Sequence, residues 1–174
     1  MKTLGLDVSS SVIGWALLDD SERLLEYGNI VPPKSSKGSL SFRLSATYDL
    51  LFELLKNKKP NVVSIESYVS KFSPGRSSAR TIIVLSCFNE LASMVCIRSL
   101  GIEAEKHTVS RIRSFIKKNN NLKIISKDET FEFIKSKYPN FNIRKNRNGN
   151  ISKSVFDESD AIAVGLARIN SRGS

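Results

Sequence analysis

A carboxylate set inside a strand restricts this chain more than any other feature. In the opening stretch, Met1 to Asp20, Leu4, Leu6 and Val8 alternate with their neighbours as one face of a β-strand does, and Asp7 stands among them. Ser9, Ser10 and Ser11 interrupt the strand, and Val12 to Leu18 reads as a second one with Gly14 inside it, so the pair predicts a hairpin. A charge next to apolar neighbours is costly unless it is hydrogen-bonded, paired or bound to a metal. Two readings of this stretch stay open: a carboxylate that binds an ion, or a strand-end Asp that accepts hydrogen bonds from the serine turn.

The rest of the chain predicts a layered α/β fold. Leu24 to Val31 reads as a third strand, and Pro32 to Ser39 as a turn or loop. Leu44, Tyr48, Leu51, Phe52 and Leu55 recur at helical spacing, with Ser39 or Ser41 as the cap and Lys56 to Pro60 as the end. Val62 to Glu66 is a short apolar strand that also ends in a carboxylate, and Ser67 to Ser78 is a loop. A long helix follows from Ala79 to Leu100, with Gly101 suited to close it. Ile102 to His107 reads as a strand, Thr108 to Ile116 as a short basic helix, and Lys117 to Leu122 as a polar loop. Lys127 to Lys137 is a helix ended by Pro139, Asn140 to Ser154 reads as mobile, and Val155 to Asn170 is the last helix. The order β-β-β-α-β-α-β-α-α-α predicts a mixed five-stranded sheet flanked by helices, in one domain over 1–174 with no internal repeat.

Composition narrows the partners. The chain has 174 residues, 40% of them hydrophobic, and a formal net charge of +10. No uninterrupted apolar run nears the roughly 20 residues that span a bilayer, so no membrane is expected. Cys87 and Cys96 lie on opposite sides of one expected helix and do not pair, which fits a reducing, cytoplasmic setting and argues against zinc. The basic residues are segregated. No acid lies between Glu66 and Glu90, between Glu105 and Asp128, or between Glu132 and Asp157, while Lys and Arg recur in all three spans. Such segregation favours a polyanionic partner over a merely solvated surface.

The acids are grouped just as distinctly. Asp7 and Glu66 belong to short apolar strands, and Asp157-Glu158-Ser159-Asp160 opens the last helix. Asp157 and Asp160 are three apart and share a helix face, while Glu158 is turned about 100° from Asp157. Taken alone, the helical acids read as first-turn residues stabilised by the helix dipole. Taken with the two strand acids, they suggest four carboxylates converging on divalent cations, for which hard oxygen ligands suit Mg²⁺ or Mn²⁺. An acidic metal centre within a basic surface suits phosphodiester chemistry, with two ions roughly 3.5–4 Å apart.

Three blocks of sequence carry a resemblance: Leu4-Gly-Leu-Asp7-Val-Ser-Ser-Ser-Val-Ile-Gly-Trp-Ala, Val63-Ser-Ile-Glu66-Ser-Tyr, and Asp157-Glu-Ser-Asp160-Ala-Ile-Ala. In order and content they resemble the signature blocks of the RuvC-type Holliday junction resolvases, within the RNase H-like, retroviral-integrase superfamily. The first block also resembles the opening nuclease motif of RNA-guided nucleases of the IscB type. The resemblance implies that Asp7, Glu66, Asp157 and Asp160 bind two Mg²⁺ ions, with Asp7 shared and Glu158 an alternative to Asp157. It implies hydrolysis of four-way DNA junctions to 5′-phosphate and 3′-hydroxyl ends by a homodimer joined through helix 79–100. The long, Asn-rich basic segment 119–154 departs from the compact bacterial pattern and looks more like a phage or mobile-element member.

For DNA contact, the resemblance points to an aromatic after the second acidic strand. Phe72 is the first candidate and Tyr68 the second, in a loop with Lys71, Arg76 and Arg80. Either aromatic could instead cover the edge of the core. Arg111, Lys117 and Lys118 are candidates for backbone phosphates, and Lys153 for the scissile phosphate. His107, the only histidine, reads as structural rather than as a general base. Three rivals remain: a ribonuclease H acting on RNA–DNA hybrids, a non-catalytic branched-DNA binder, and a sugar-kinase or actin-like ATPase. The last lacks a second phosphate-binding hairpin in this chain.

Overall fold

The computed structural model describes residues 1–67, 78–120 and 126–171. Its elements follow the predicted order: β1 (Lys2–Val8), β2 (Ile13–Asp19), β3 (Leu24–Ile30), α1 (Leu40–Lys58), β4 (Val62–Glu66), α2 (Ala79–Leu100), β5 (Glu105–His107), α3 (Val109–Asn120), α4 (Lys127–Lys137) and α5 (Lys153–Asn170). The strands form one mixed sheet in the order β3-β2-β1-β4-β5. β1, β2 and β3 are antiparallel, whereas β4 runs parallel to β1 and β5 parallel to β4.

Strand alternation divides the interior into two cores. Leu4, Leu6 and Val8 of β1, with Ile13 and Leu17 of β2, pack under α1 and α2 against Leu51, Leu55, Phe88 and Val95. The opposite face carries Ala16 and Leu18 and is covered by α3, α4 and α5 through Ile116, Phe131, Ile134 and Ile162. Residues of one strand two apart share a face, so Asp7 belongs to the second face together with Gly5.

Glycine sets the distance between that face and α5. A Cβ on Gly5 would lie 2.2 Å from the carbonyl oxygen of Ala161, and one on Gly14 would lie 2.1 Å from the carbonyl oxygen of Asp157. Both obstacles are helix backbone, which cannot rotate aside as a side chain can. The helix therefore sits almost on the strands, because Gly5 and Gly14 of the strands and Gly165 of the helix lack side chains. This close seating brings Asp157 and Asp160 down to the level of Asp7.

Helix ends follow their sequence signals. The Ser39 hydroxyl accepts from Phe42 N at 3.2 Å, which settles the cap of α1 in favour of Ser39 over Ser41. Gly101 closes α2 at φ 69°, its N–H donating to Ile97 O at 3.0 Å. Ser126 and Glu129 form a reciprocal capping box at the start of α4.

Several expectations need correction. β5 starts at Glu105 rather than Ile102, because the register of this edge strand against β4 begins with Ser64 opposite Glu105. α3 continues to Asn120, so Lys117 and Lys118 lie on a helix and not in a loop. The segment 140–154 is not free chain. It turns back on itself with a bridge between Lys145 and Ile151, and Asn146 Oδ1 accepts from the N–H groups of Asn148 and Asn150. α5 starts at Lys153 instead of Val155, so its first turn carries no acid and the dipole account of Asp157 and Asp160 loses its basis. Finally, α2 is long and apolar enough, by length and composition, to cross a membrane. Its inner face is packed through Phe88, Leu91, Val95 and Cys96, while Ile83, Met94 and Ile97 stay exposed. Both cysteines are free thiols.

Candidate metal centre

The site begins with strand register. β1 and β4 are parallel neighbours, paired as Gly5 with Ser64 and Leu6 with Ile65. Continuing that register by one residue sets Asp7 beside Glu66, on the face covered by α5. α5 supplies Asp160, and α3 and α4 supply Arg113, Lys127 and Thr130, to close a pocket of ≈ 170 Å³ around Asp7 and Glu66.

The electrostatics are those of crowded acids withdrawn from water. Burial drives the Asp7 carboxyl well above its usual range, and the charges of Glu66, Asp160 and Asp157 push it further. Glu66 is raised to about 7, first by burial and then by Asp160, with Lys127 and Arg113 pulling the other way. Asp160 is raised by burial against the opposing pull of Lys127, whose Nζ lies 2.7 Å from Asp160 Oδ2. Burial opposes the charge of Lys127 itself, yet Asp160, Asp7 and Asp157 together hold its ammonium above the ordinary lysine range.

The two neighbouring acids of α5 separate cleanly. Glu158 accepts from Asn29 Nδ2 and from Arg144 Nη2, each at 2.6 Å, and is committed to that buried ion pair. Asp157 is buried, its Oδ2 has no hydrogen-bond partner, and its charge acts on Asp7. The structure therefore turns Asp157 and Asp160 toward the strand acids and Glu158 away from them. Asp157 does not line the pocket itself.

The donor set fits hard divalent cations: carboxylate oxygens only, mutually repulsive, with one buried oxygen unpaired. Among the described residues, however, no three His, Cys, Asp or Glu side chains close around a common ion position. Asp160 is instead closed on Lys127.

His107 lies beside Glu66 in the β4–β5 register and is buried. Burial, and then the nearby Arg111, lower its pKa, and neither ring nitrogen has a hydrogen-bond partner. A neutral, enclosed imidazole agrees with a structural role.

The basic candidates are dispersed. Tyr68, Lys71, Phe72 and Arg76 lie outside the described residues. Arg80 is exposed in the first turn of α2, on the opposite side of the sheet from the pocket. Arg111, Lys117 and Lys118 are exposed along α3, and Lys153, in the first turn of α5, acts on Asp157 and lowers its pKa. Sequence reasoning missed Arg113 and Lys127. Lys127 carried a signal, since a lysine in the first turn of a helix stands against the helix dipole and calls for an anion elsewhere.

No family model matches the sequence, and no curated protein matches it. Solved structures do match. The Thermus thermophilus RuvC in complex with a Holliday junction substrate superposes with a TM-score of 0.73 at 12% identity, covering 100% of this chain and 96% of that one. The yeast mitochondrial Holliday junction resolvase Ydc2 gives 0.56 at 13% identity, with 98% and 79% covered. The fowlpox virus resolvase bound to Holliday junction DNA gives 0.54 at 14% identity, with all of both chains covered. This chain has the RNase H-like fold of the RuvC-type resolvases.

Proposed function

We propose that this chain is a Mg²⁺-dependent, structure-selective DNA endonuclease that resolves four-way junctions. The observation that carries the reading is the convergence of Asp7, Glu66 and Asp160, with Asp157 behind them, at one end of β1 and β4 beneath α5. The fold shared with resolvases captured on Holliday junctions supports it.

In this reading Asp7, Glu66, Asp157 and Asp160 hold two divalent ions, Mg²⁺ or in its place Mn²⁺. When bound, these ions supply charge neutralisation at the phosphate and water made nucleophilic at neutral pH. The chain's own residues do the rest. Arg113 and Lys127 on the pocket wall bind phosphate oxygens, and Lys153 reaches toward the same end of the site. Arg111, Lys117 and Lys118 track the backbone along α3, and Arg80 meets it from the far flank. Tyr68 and Phe72 stack on opened bases, and Lys71 and Arg76 hold phosphates. The products are 5′-phosphate and 3′-hydroxyl ends.

Resolution needs two opposed cuts and hence two sites. The uncovered apolar stripe Ile83, Met94 and Ile97 on α2 is the face by which a second copy supplies the other. We assign that stripe to a homodimer interface and not to a membrane, because Glu90 and Arg98 are exposed on the same helix.

The test is cleavage of end-labelled four-way junction, three-way branch, linear duplex and RNA–DNA hybrid, with Mg²⁺ or with chelator. Paired symmetric nicks in the four-way junction are expected, absent with chelator and absent for Asp7→Asn, which should still bind the junction. Cutting of the hybrid alone would reassign the protein as a ribonuclease H. Junction binding without any metal-dependent cut would leave a branched-DNA-binding module.

A further inference from the structure

We propose that Lys127 is a tethered cation that occupies a divalent-ion position on Asp160 and must be displaced before an ion binds there. This inference rests on the metal-centre reading above. Lys127 Nζ stands 2.7 Å from Asp160 Oδ2 inside the pocket, and its charge lowers the proton affinity of all three other acids of the centre or is itself held by them. Other cations act on fewer of the acids: Arg113 on Glu66 and Asp160, Lys153 on Asp157.

The placement does not serve α4. Lys127 is the first residue of that helix, where the dipole disfavours an ammonium. Asp128 and Glu129 already supply the first-turn acids, and the capping box uses the Ser126 and Glu129 side chains. The lysine passes over those two acids to reach α5. Its side chain is 49% exposed against 18% for Asp160, so it can swing into solvent without disturbing the packed Phe131 and Ile134 of its own helix. The arrangement also accounts for the failure of three acids to close around one point, since Asp160 is engaged elsewhere.

A lysine that swings out needs another anion, and a backbone phosphate entering the pocket provides one. Occupation of Asp160 by a divalent ion and arrival of the nucleic acid are then coupled through one side chain.

The experiment is calorimetric titration of Mn²⁺ into the metal-stripped full chain, without DNA. It compares wild type with Lys127→Met, Lys127→Arg and, as a charge control on the other face of the sheet, Lys56→Met. Removing a unit charge a few ångströms from a dication should tighten binding about tenfold in Lys127→Met even with water-like screening. Lys127→Arg and Lys56→Met should keep the wild-type affinity. Thermal melts of the four proteins establish that each is folded, which is favoured by a capping box in which the Lys127 side chain takes no part. Equal or weaker binding by folded Lys127→Met overturns the tether and leaves the metal centre standing. Absence of Mn²⁺ binding in all four proteins overturns both.

Discussion

If Glu66 is held at a pKa of about 7 against an ordinary value of 4.5, the metal-free protein should lose stability as pH rises through that interval. The sign follows from proton counts. Between pH 4.5 and 7 the folded state keeps a proton on Glu66 that the unfolded state has released, and stability falls with pH wherever the native state binds more protons. Each tenfold change in proton affinity is worth about 1.4 kcal/mol, so the full interval amounts to about 3 kcal/mol. In a chain of this size that corresponds to roughly 6–12 °C in Tm. Glu66→Gln removes the ionisation and keeps the shape. In chelator, it should therefore raise Tm by several degrees at pH 8 and change it little at pH 4, where the wild-type carboxyl is protonated in both states. Differential scanning calorimetry of the two metal-stripped proteins across pH 4–8 reads this directly. Parallel Tm profiles for wild type and Glu66→Gln would refute the argument, because Glu66 would then be solvated or already neutralised by Lys127 and Arg113. Mg²⁺ at pH 8 should raise the wild-type Tm and have a smaller effect on the variant.

Two further outcomes follow from packing. Gly14→Ala places a methyl carbon where Asp157 O would be 2.1 Å away, so α5 must lift; overpacking of this kind costs about 1–3 kcal/mol or more. Urea unfolding should show that loss, junction cleavage should fall with it as Asp157 and Asp160 move off the strand acids, and an unchanged midpoint would mean that α5 is not seated so closely. On the other face, Ile97→Glu puts a charge at the C-terminal end of the exposed stripe of α2, next to Met94, and should weaken self-association at least about a hundredfold. Sedimentation equilibrium of wild type and variant checks it, and a wild type that is monomeric at tens of micromolar removes the interface.

What was legible in the sequence was whatever is local. The periodicity of β1, β2 and β4, the Gly101 cap and the long α2 all depend on neighbours within a few residues and stand in the structure as the sequence predicts, and of the two cap candidates for α1 the structure uses Ser39. The order of segment 140–154 is not legible locally, because its polar composition matches that of disordered chain. Its order comes from a tight Asn146 turn and from Arg144, whose partner Glu158 lies fourteen residues on and is buried in another element. The same long-range bond engages Glu158, while Asp157 keeps an unpaired oxygen, a difference that helical spacing does not show. The sequence makes β5 look longer than it is because apolar Ile102 and Ala104 resemble strand residues, while an edge strand ends where its partner does.

The acids of the site show how far such reasoning reaches. Asp7 and Glu66 are visible as anomalies, charges in strands that should be apolar, whereas Asp157 and Asp160 alone look like ordinary helix-start acids, and the meeting of all four depends on residues with no chemistry at all. Gly5 and Gly14 admit the backbone of α5 to the surface of the sheet, and the β1–β4 register then sets Asp7 beside Glu66. Glycines inside two strands would ordinarily weaken them. Here they fix a helix–sheet distance too short for any side chain, and that distance holds carboxylates together against their own repulsion, with Lys127 as the counter-charge within reach. The packing of small residues and the raised proton affinities of the acids are thus one arrangement: the closer the helix sits, the more the centre requires a cation.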